Sequence, residues 1–87
     1  MSKIIFTERA FEEYLYWQSQ DKRTLKRINT LLKDIARSPF EGIGKPEGLR
    51  GNHTGYWSRR IDDTHRLVYR VQPDLIEVYQ CKGHYDD

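Results

Sequence analysis

The sequence predicts an α+β domain in which an N-terminal strand and two helices pack on an antiparallel sheet that ends in a three-strand meander. Three observations carry this expectation. Two stretches free of Gly and Pro, 8–20 and 22–38, repeat apolar residues at helical spacing. Three C-terminal stretches alternate apolar and polar residues between turn signals. A chain of 87 residues has room for one small core and no second, so one domain over residues 1–87 is expected. Aromatic residues make up 13% of the chain against 37% hydrophobic in all, so rings must supply much of that core. The charged fraction of 32% would suit a disordered segment, but the opposing charges nearly cancel and the apolar residues are periodic.

Lys3 to Phe6 is a short apolar run that ends at Thr7, a residue able to cap a helix. From Glu8 to Gln20, Ala10, Phe11, Tyr14, Leu15 and Trp17 recur at helical spacing, and Glu8 sits at the positive end of the helix. Asp21 caps a second helix, which is expected to run to about Ser38 because Pro39 disfavours helical geometry before it. On a wheel of about 100° per residue, Leu25, Ile28, Leu31, Leu32 and Ile35 share one side. Lys22, Arg23, Lys26, Arg27, Lys33 and Arg37 share the other, so this helix has a core face and a cationic ridge. Five of the six glycines then fall within fourteen residues, Gly42 to Gly55, and mark a long loop. Loops of this length in small domains are more often functional than idle. Beyond it, Tyr56–Ile61, Arg66–Val71 and Leu75–Cys81 read as consecutive antiparallel strands joined at Asp62-Asp63-Thr64 and Gln72-Pro73-Asp74. In the middle strand Leu67, Tyr69 and Val71 point one way, Arg66, Val68 and Arg70 the other. The first strand is expected to join this sheet, where its backbone groups find partners.

The net charge is only +2, but its distribution is uneven. Residues 22–37 carry +5 and 44–70 carry +3, whereas 1–21 carry −2 and 71–87 carry −3. No apolar run approaches the roughly 20 residues of a membrane span, and the N-terminus lacks the features of a signal peptide, so a cytoplasmic protein with no membrane partner is expected. Phosphate-cradling loops, dinucleotide fingerprints and common metal motifs do not occur. Cys81 and His84 have C-x-x-H spacing, but too few further ligands accompany them for a zinc site.

A basic chain with interleaved aromatic residues suggests a polyanionic partner with unpaired bases. Tyr56, Trp57, Arg59, Arg60, Arg66 and Arg70 have that pattern, and Arg59 and Arg60 are therefore candidate RNA contacts. The plainer reading is that the rings pack in the core and the arginines solvate a sheet face. Metal-free cleavage of RNA requires a base for a 2′-hydroxyl, a cation for the charge on phosphorus and an acid for the leaving oxygen. Outside the helices, Glu47, Arg66 and His84 supply one group of each type. Taken singly, each is more readily read as something plainer: a solvated loop carboxylate, a surface cation and a frayed terminal residue.

Several separated motifs then occur in order. They are Tyr14-Leu15-Tyr16-Trp17-Gln18 with Asp21-Lys22-Arg23; Pro39-Phe40-Glu41-Gly42-Ile43-Gly44-Lys45-Pro46-Glu47; Gly55-Tyr56-Trp57-Ser58-Arg59-Arg60-Ile61; His65-Arg66-Leu67-Val68-Tyr69; and His84-Tyr85. Together they closely resemble the YoeB toxins of the RelE/ParE superfamily over almost the whole chain. The resemblance implies a RelE-like fold and a ribosome-dependent endoribonuclease that cleaves mRNA in the decoding site and inhibits translation. It implies Glu47 as general base, His84 as general acid, Arg66 at the scissile phosphate, Tyr85 in substrate placement and Arg50 near the RNA backbone, with no metal or other cofactor. It also implies a YefM-like antitoxin as partner, a homodimer, and docking on ribosomal RNA, for which the ridge residues Lys22, Lys26 and Lys33 are candidates. Two features depart from the family pattern: Asp86 and Asp87 follow Tyr85, and Gly83 precedes His84. Carboxylates so close to the acid are expected to weaken phosphate binding or raise the His84 pKa. The competing expectations are a same-fold toxin that binds DNA gyrase, and a non-catalytic RNA-binding module.

Overall fold

A computed structural model describes residues 2–84. The chain forms β1 (Lys3–Phe6), α1 (Glu8–Gln20), α2 (Lys22–Arg37), β2 (Glu47–Gly48), a single 3-10 turn at Gly51–His53, β3 (Tyr56–Arg60), β4 (Arg66–Gln72) and β5 (Leu75–Gln80). Side chains close the helix ends as their types require. The Thr7 hydroxyl accepts the Ala10 N–H at 3.1 Å and donates to the Tyr79 carbonyl at 3.1 Å, so one group caps α1 and ties it to β5. Asp21 ends α1 with its own N–H, donated to the Trp17 carbonyl, and starts α2 by accepting the N–H groups of Arg23 and Thr24. The Thr24 hydroxyl donates to its other oxygen at 2.8 Å and is the main cause holding this carboxyl below the usual range. The two helices therefore meet at one residue with no connecting loop.

The five strands form one sheet in the order β1-β5-β4-β3-β2. β2 to β5 are antiparallel neighbours, as the meander predicts. β1 pairs with β5 in parallel, Lys3 opposite Leu75 and Phe6 opposite Val78, so the sheet is mixed rather than wholly antiparallel. Parallel neighbours need a long crossover, and here both helices and the rest of the sheet lie between the two strands. β2 lies in the stretch that reads as loop, because two residues are too few for alternation to register in the sequence.

One apolar cluster joins the layers: Ala10 and Trp17 of α1, Ile28, Leu31, Leu32 and Ile35 of α2, and Leu67, Tyr69, Ile76 and Val78 of the sheet. On the opposite sheet face, strand register sets Glu47, Ser58, Val68 and Gln80 in one row across four strands. Ser58, Val68 and Gln80 are buried even there. At this row β5 carries an extra residue: Val68 pairs with Gln80 while Tyr69 pairs with Val78, and Tyr79 falls between. Such a bulge re-aims the strand end.

Candidate active site

The loop that delivers Glu47 is organised from beneath by Arg59. That side chain is wholly buried, and its guanidinium donates to Asp34 Oδ2 at 2.6 Å, to the carbonyls of Ser38, Glu41 and Ile43 at 2.7–3.1 Å, and to the Tyr69 hydroxyl at 3.1 Å. The expectation that Arg59 contacts RNA is therefore corrected. It shares its strand face with Trp57, toward the helices, and its donors are consumed by the protein. Asp34 also accepts the Ile43 N–H and pairs with Arg37. The hydrogen bond from Arg59 outweighs burial and holds the Asp34 carboxyl below the usual range. Burial pushes the Tyr69 hydroxyl up, so it remains a phenol that donates to the Pro39 carbonyl.

Two glycines allow this packing. A Cβ on Gly42 would overlap the Asp34 carboxylate, and one on Gly44 would crowd Leu31 and Arg59. Both have positive φ, as does Lys45, a non-glycine residue at φ 52°. The Gly44 carbonyl accepts the Arg60 N–H at 2.7 Å and the Leu49 N–H reaches the Tyr56 carbonyl at 2.9 Å. Short as β2 is, Glu47 is thus registered on β3 from both sides.

Glu47 lines a depression of about 250 Å³ together with Lys45, Pro46, Ser58, Arg60 and Arg66. One carboxylate stands among three cations at its wall, an arrangement suited to an anion next to a proton-accepting group. Arg66 Nη1 donates to the carbonyls of Asp62 at 2.7 Å and His65 at 3.1 Å, which fixes the guanidinium at the rim. The Asp62 carboxylate closes that turn; burial opposes its ionisation, but the N–H groups of His65 and Thr64 hold its pKa lowered. His84 is exposed, and the segment carrying it is bonded to this rim, because the Arg66 N–H donates to the Gly83 carbonyl at 3.0 Å.

Of the residues singled out in the sequence, Glu47, Arg60 and Arg66 converge here; His84 does not line the depression, and its segment is bonded to the Arg66 backbone through Gly83. Arg50 is exposed at the start of the 3-10 turn and does not line the depression. Lys22, Lys26 and Lys33 are exposed on α2, across the sheet from Glu47. Arg27 of the same helix reaches round the sheet end to the Arg60 carbonyl at 3.1 Å. Arg70 is paired with Glu77 at 3.3 Å and lies over the Tyr56 ring. Tyr85, Asp86 and Asp87 lie outside the described residues. Lys45, Pro46 and Ser58 are additional lining residues; Lys45 and Pro46 directly precede Glu47 in the glycine-rich loop, and Ser58 has the strand parity of Arg60. Among the described residues, no three His, Cys, Asp or Glu side chains are grouped to hold a metal ion. Cys81 is buried, and burial followed by the nearby Glu13 carboxylate pushes its thiol up to about 12, so it stays protonated.

A family described as the YoeB-like toxin of the bacterial type II toxin-antitoxin system matches residues 6–85. The chain belongs to the YoeB toxin family. It is a toxin of a type II toxin–antitoxin system. Toxin YoeB of Escherichia coli strain K12 is 53% identical over 83 residues, 95% of this chain and 99% of the relative. The YoeB dimer from Staphylococcus aureus superposes with a TM-score of 0.90 at 53% identity, covering 97% of this chain and 98% of that one. YoeB in the heterotetrameric YoeB-YefM complex from the same species gives 0.89 at 52% identity, covering 98% and 99%. The helix pair on a mixed five-stranded sheet is the RelE-like fold of these YoeB toxins.

Proposed function

We propose that this YoeB-family toxin is a metal-independent endoribonuclease that cleaves mRNA in the decoding site of the ribosome and thereby arrests translation. The observation that carries the reading is the depression in which Glu47 stands among Lys45, Arg60 and Arg66, with the His84 segment bonded to Arg66. Glu47 accepts the proton of the 2′-hydroxyl, whose oxygen attacks the adjacent phosphorus. Arg66, with Arg60 and Lys45 beside it, stabilises the charge that builds on the phosphoryl oxygens. His84 gives a proton to the departing 5′-oxygen. The products are a 2′,3′-cyclic phosphate and a 5′-hydroxyl, and Tyr85 assists in placing the substrate.

A depression of about 250 Å³ lies below the usual size of pockets that enclose a ligand, which supports a need for the ribosome to hold the mRNA. The cationic ridge of α2 and Arg50 are the proposed contacts with ribosomal RNA and the message. The whole chain acts as one catalytic domain in the cytoplasm. A YefM-like antitoxin and a second copy of the toxin are the proposed protein partners. Supporting this are the exposed Phe11 and Leu15, one turn apart on α1 at 51% and 43% exposure.

Mapping of mRNA ends in a reconstituted translation reaction tests the reading. Cuts within the codon in the decoding site are expected for the wild type. Both Glu47→Ala and His84→Gln are expected to lower the rate at least about 100-fold, the scale of losing a general base or acid. No cuts, or equal cutting by the variants, would refute the nuclease, and inhibition of DNA gyrase instead would favour the gyrase-binding alternative.

A further inference from the structure

Backbone that runs on beyond the last strand of a sheet ordinarily frays unless it is tied down. In this protein the backbone of 81–84 is gripped from three elements. Glu13 and Trp17, one turn apart on α1, hold both sides of Cys81: Glu13 Oε1 accepts its N–H at 2.8 Å and the indole Nε1–H donates to its carbonyl at 2.8 Å. Gly83, at φ 83°, donates its N–H to His65 Nδ1 at 2.7 Å, while its carbonyl accepts from the Arg66 N–H at 3.0 Å. Gln80, buried in the Glu47 row, donates its side-chain amide to the His84 carbonyl at 3.1 Å. The His65 ring meets the Trp17 ring edge-on at 4.8 Å. An acceptor at Nδ1 requires the tautomer with its proton on Nε2.

We propose that His65 is a positioning residue for the proton donor: its Nδ1, oriented by Trp17, latches the Gly83 amide and fixes the backbone from which His84 reaches the leaving oxygen. The inference rests on the reading of His84 as general acid. Neither Trp17 nor His65 lines the depression, and the bond from His65 reaches the His84 segment through the Gly83 backbone. A donor that swings on a loose glycine hinge spends little time in the reactive geometry, and displacement of about 1 Å at a catalytic group lowers rates by about 100-fold.

The test compares His65→Ala with His65→Asn, whose side-chain oxygen supplies an acceptor near the position of Nδ1. Hydrogen exchange at the Gly83 amide is followed by NMR, and single-turnover cleavage is followed on programmed ribosomes. His65→Ala is expected to speed exchange at Gly83 at least about 10-fold and lower the maximal cleavage rate by about 10- to 100-fold. Half-saturation for ribosomes is expected to stay within about 2-fold, the pattern of a group acting only in the chemical step. His65→Asn is expected to restore most of both. Should His65→Ala not fold, Gln80→Leu removes the tether to the His84 carbonyl from another strand and carries the same rate and half-saturation expectations. Unimpaired cleavage by the folded alanine variant, or equal loss in the asparagine variant with its Gly83 amide still protected, overturns the positioning role. Absence of cleavage by the wild type overturns the nuclease reading and the role of His84 with it, while Gly83 exchange reads the latch separately.

Discussion

Arg59 and Arg60 are adjacent in sequence and do opposite things. A strand sends neighbours to opposite faces, so Arg60 reaches the depression while Arg59 goes under the sheet to Asp34. The alternation was readable, because Arg59 has the parity of Trp57 and Ile61, but cationic residues in a run suggest a surface more readily than a buried pair. Removing one partner of such a pair leaves a charge without compensation. Asp34→Ala is therefore expected to lower stability by about 3–5 kcal/mol, measured by urea unfolding. The pH dependence follows from the lowered Asp34 pKa. A carboxyl whose pKa is lower folded than unfolded binds fewer protons in the native state, so its contribution is complete above its unfolded pKa of about 3.9 and is lost as pH falls through the folded value. Asp21 and Asp62 shift in the same direction. Urea midpoints are expected to drop below about pH 4, less steeply in Asp34→Asn; a parallel acid limb in that variant would contradict the assignment.

Among the elements, α2 was the most legible, since sixteen residues allow apolar and cationic sides to separate without ambiguity. Its core side packs as expected and its ridge, apart from the half-buried Arg27, stays exposed, across the sheet from Glu47. The triple variant Lys22→Glu, Lys26→Glu, Lys33→Glu is expected to fold normally and to reduce co-sedimentation with ribosomes, more so at low salt, where each lost phosphate contact counts most. Undiminished binding would remove α2 from the docking surface. β2 was illegible for the opposite reason. Two residues hold no period, and Glu47 acquires its position from β3 and from the loop that Arg59 gathers.

At the scale of the molecule, the sheet order makes β4 and β5 strands with neighbours along both edges, while β2 is a two-residue edge. Amide exchange is expected to be slowest in β4 and β5 and fastest in β2, which places the proposed base, Glu47, on the least protected strand; equal protection of β2 would mean that the loop adds more than its few bonds suggest. The helices, the meander and the YoeB resemblance were determined by the sequence alone, because periodicity and ordered motifs are local properties that no packing has to supply. The parallel seat of β1 was decided only by the tertiary structure, as were the burial of Arg59, the meeting of Lys45, Glu47, Arg60 and Arg66, and the latch on the tail. Each joins residues far apart in the chain, and their contacts exist only once strand register and burial have selected which side chains meet.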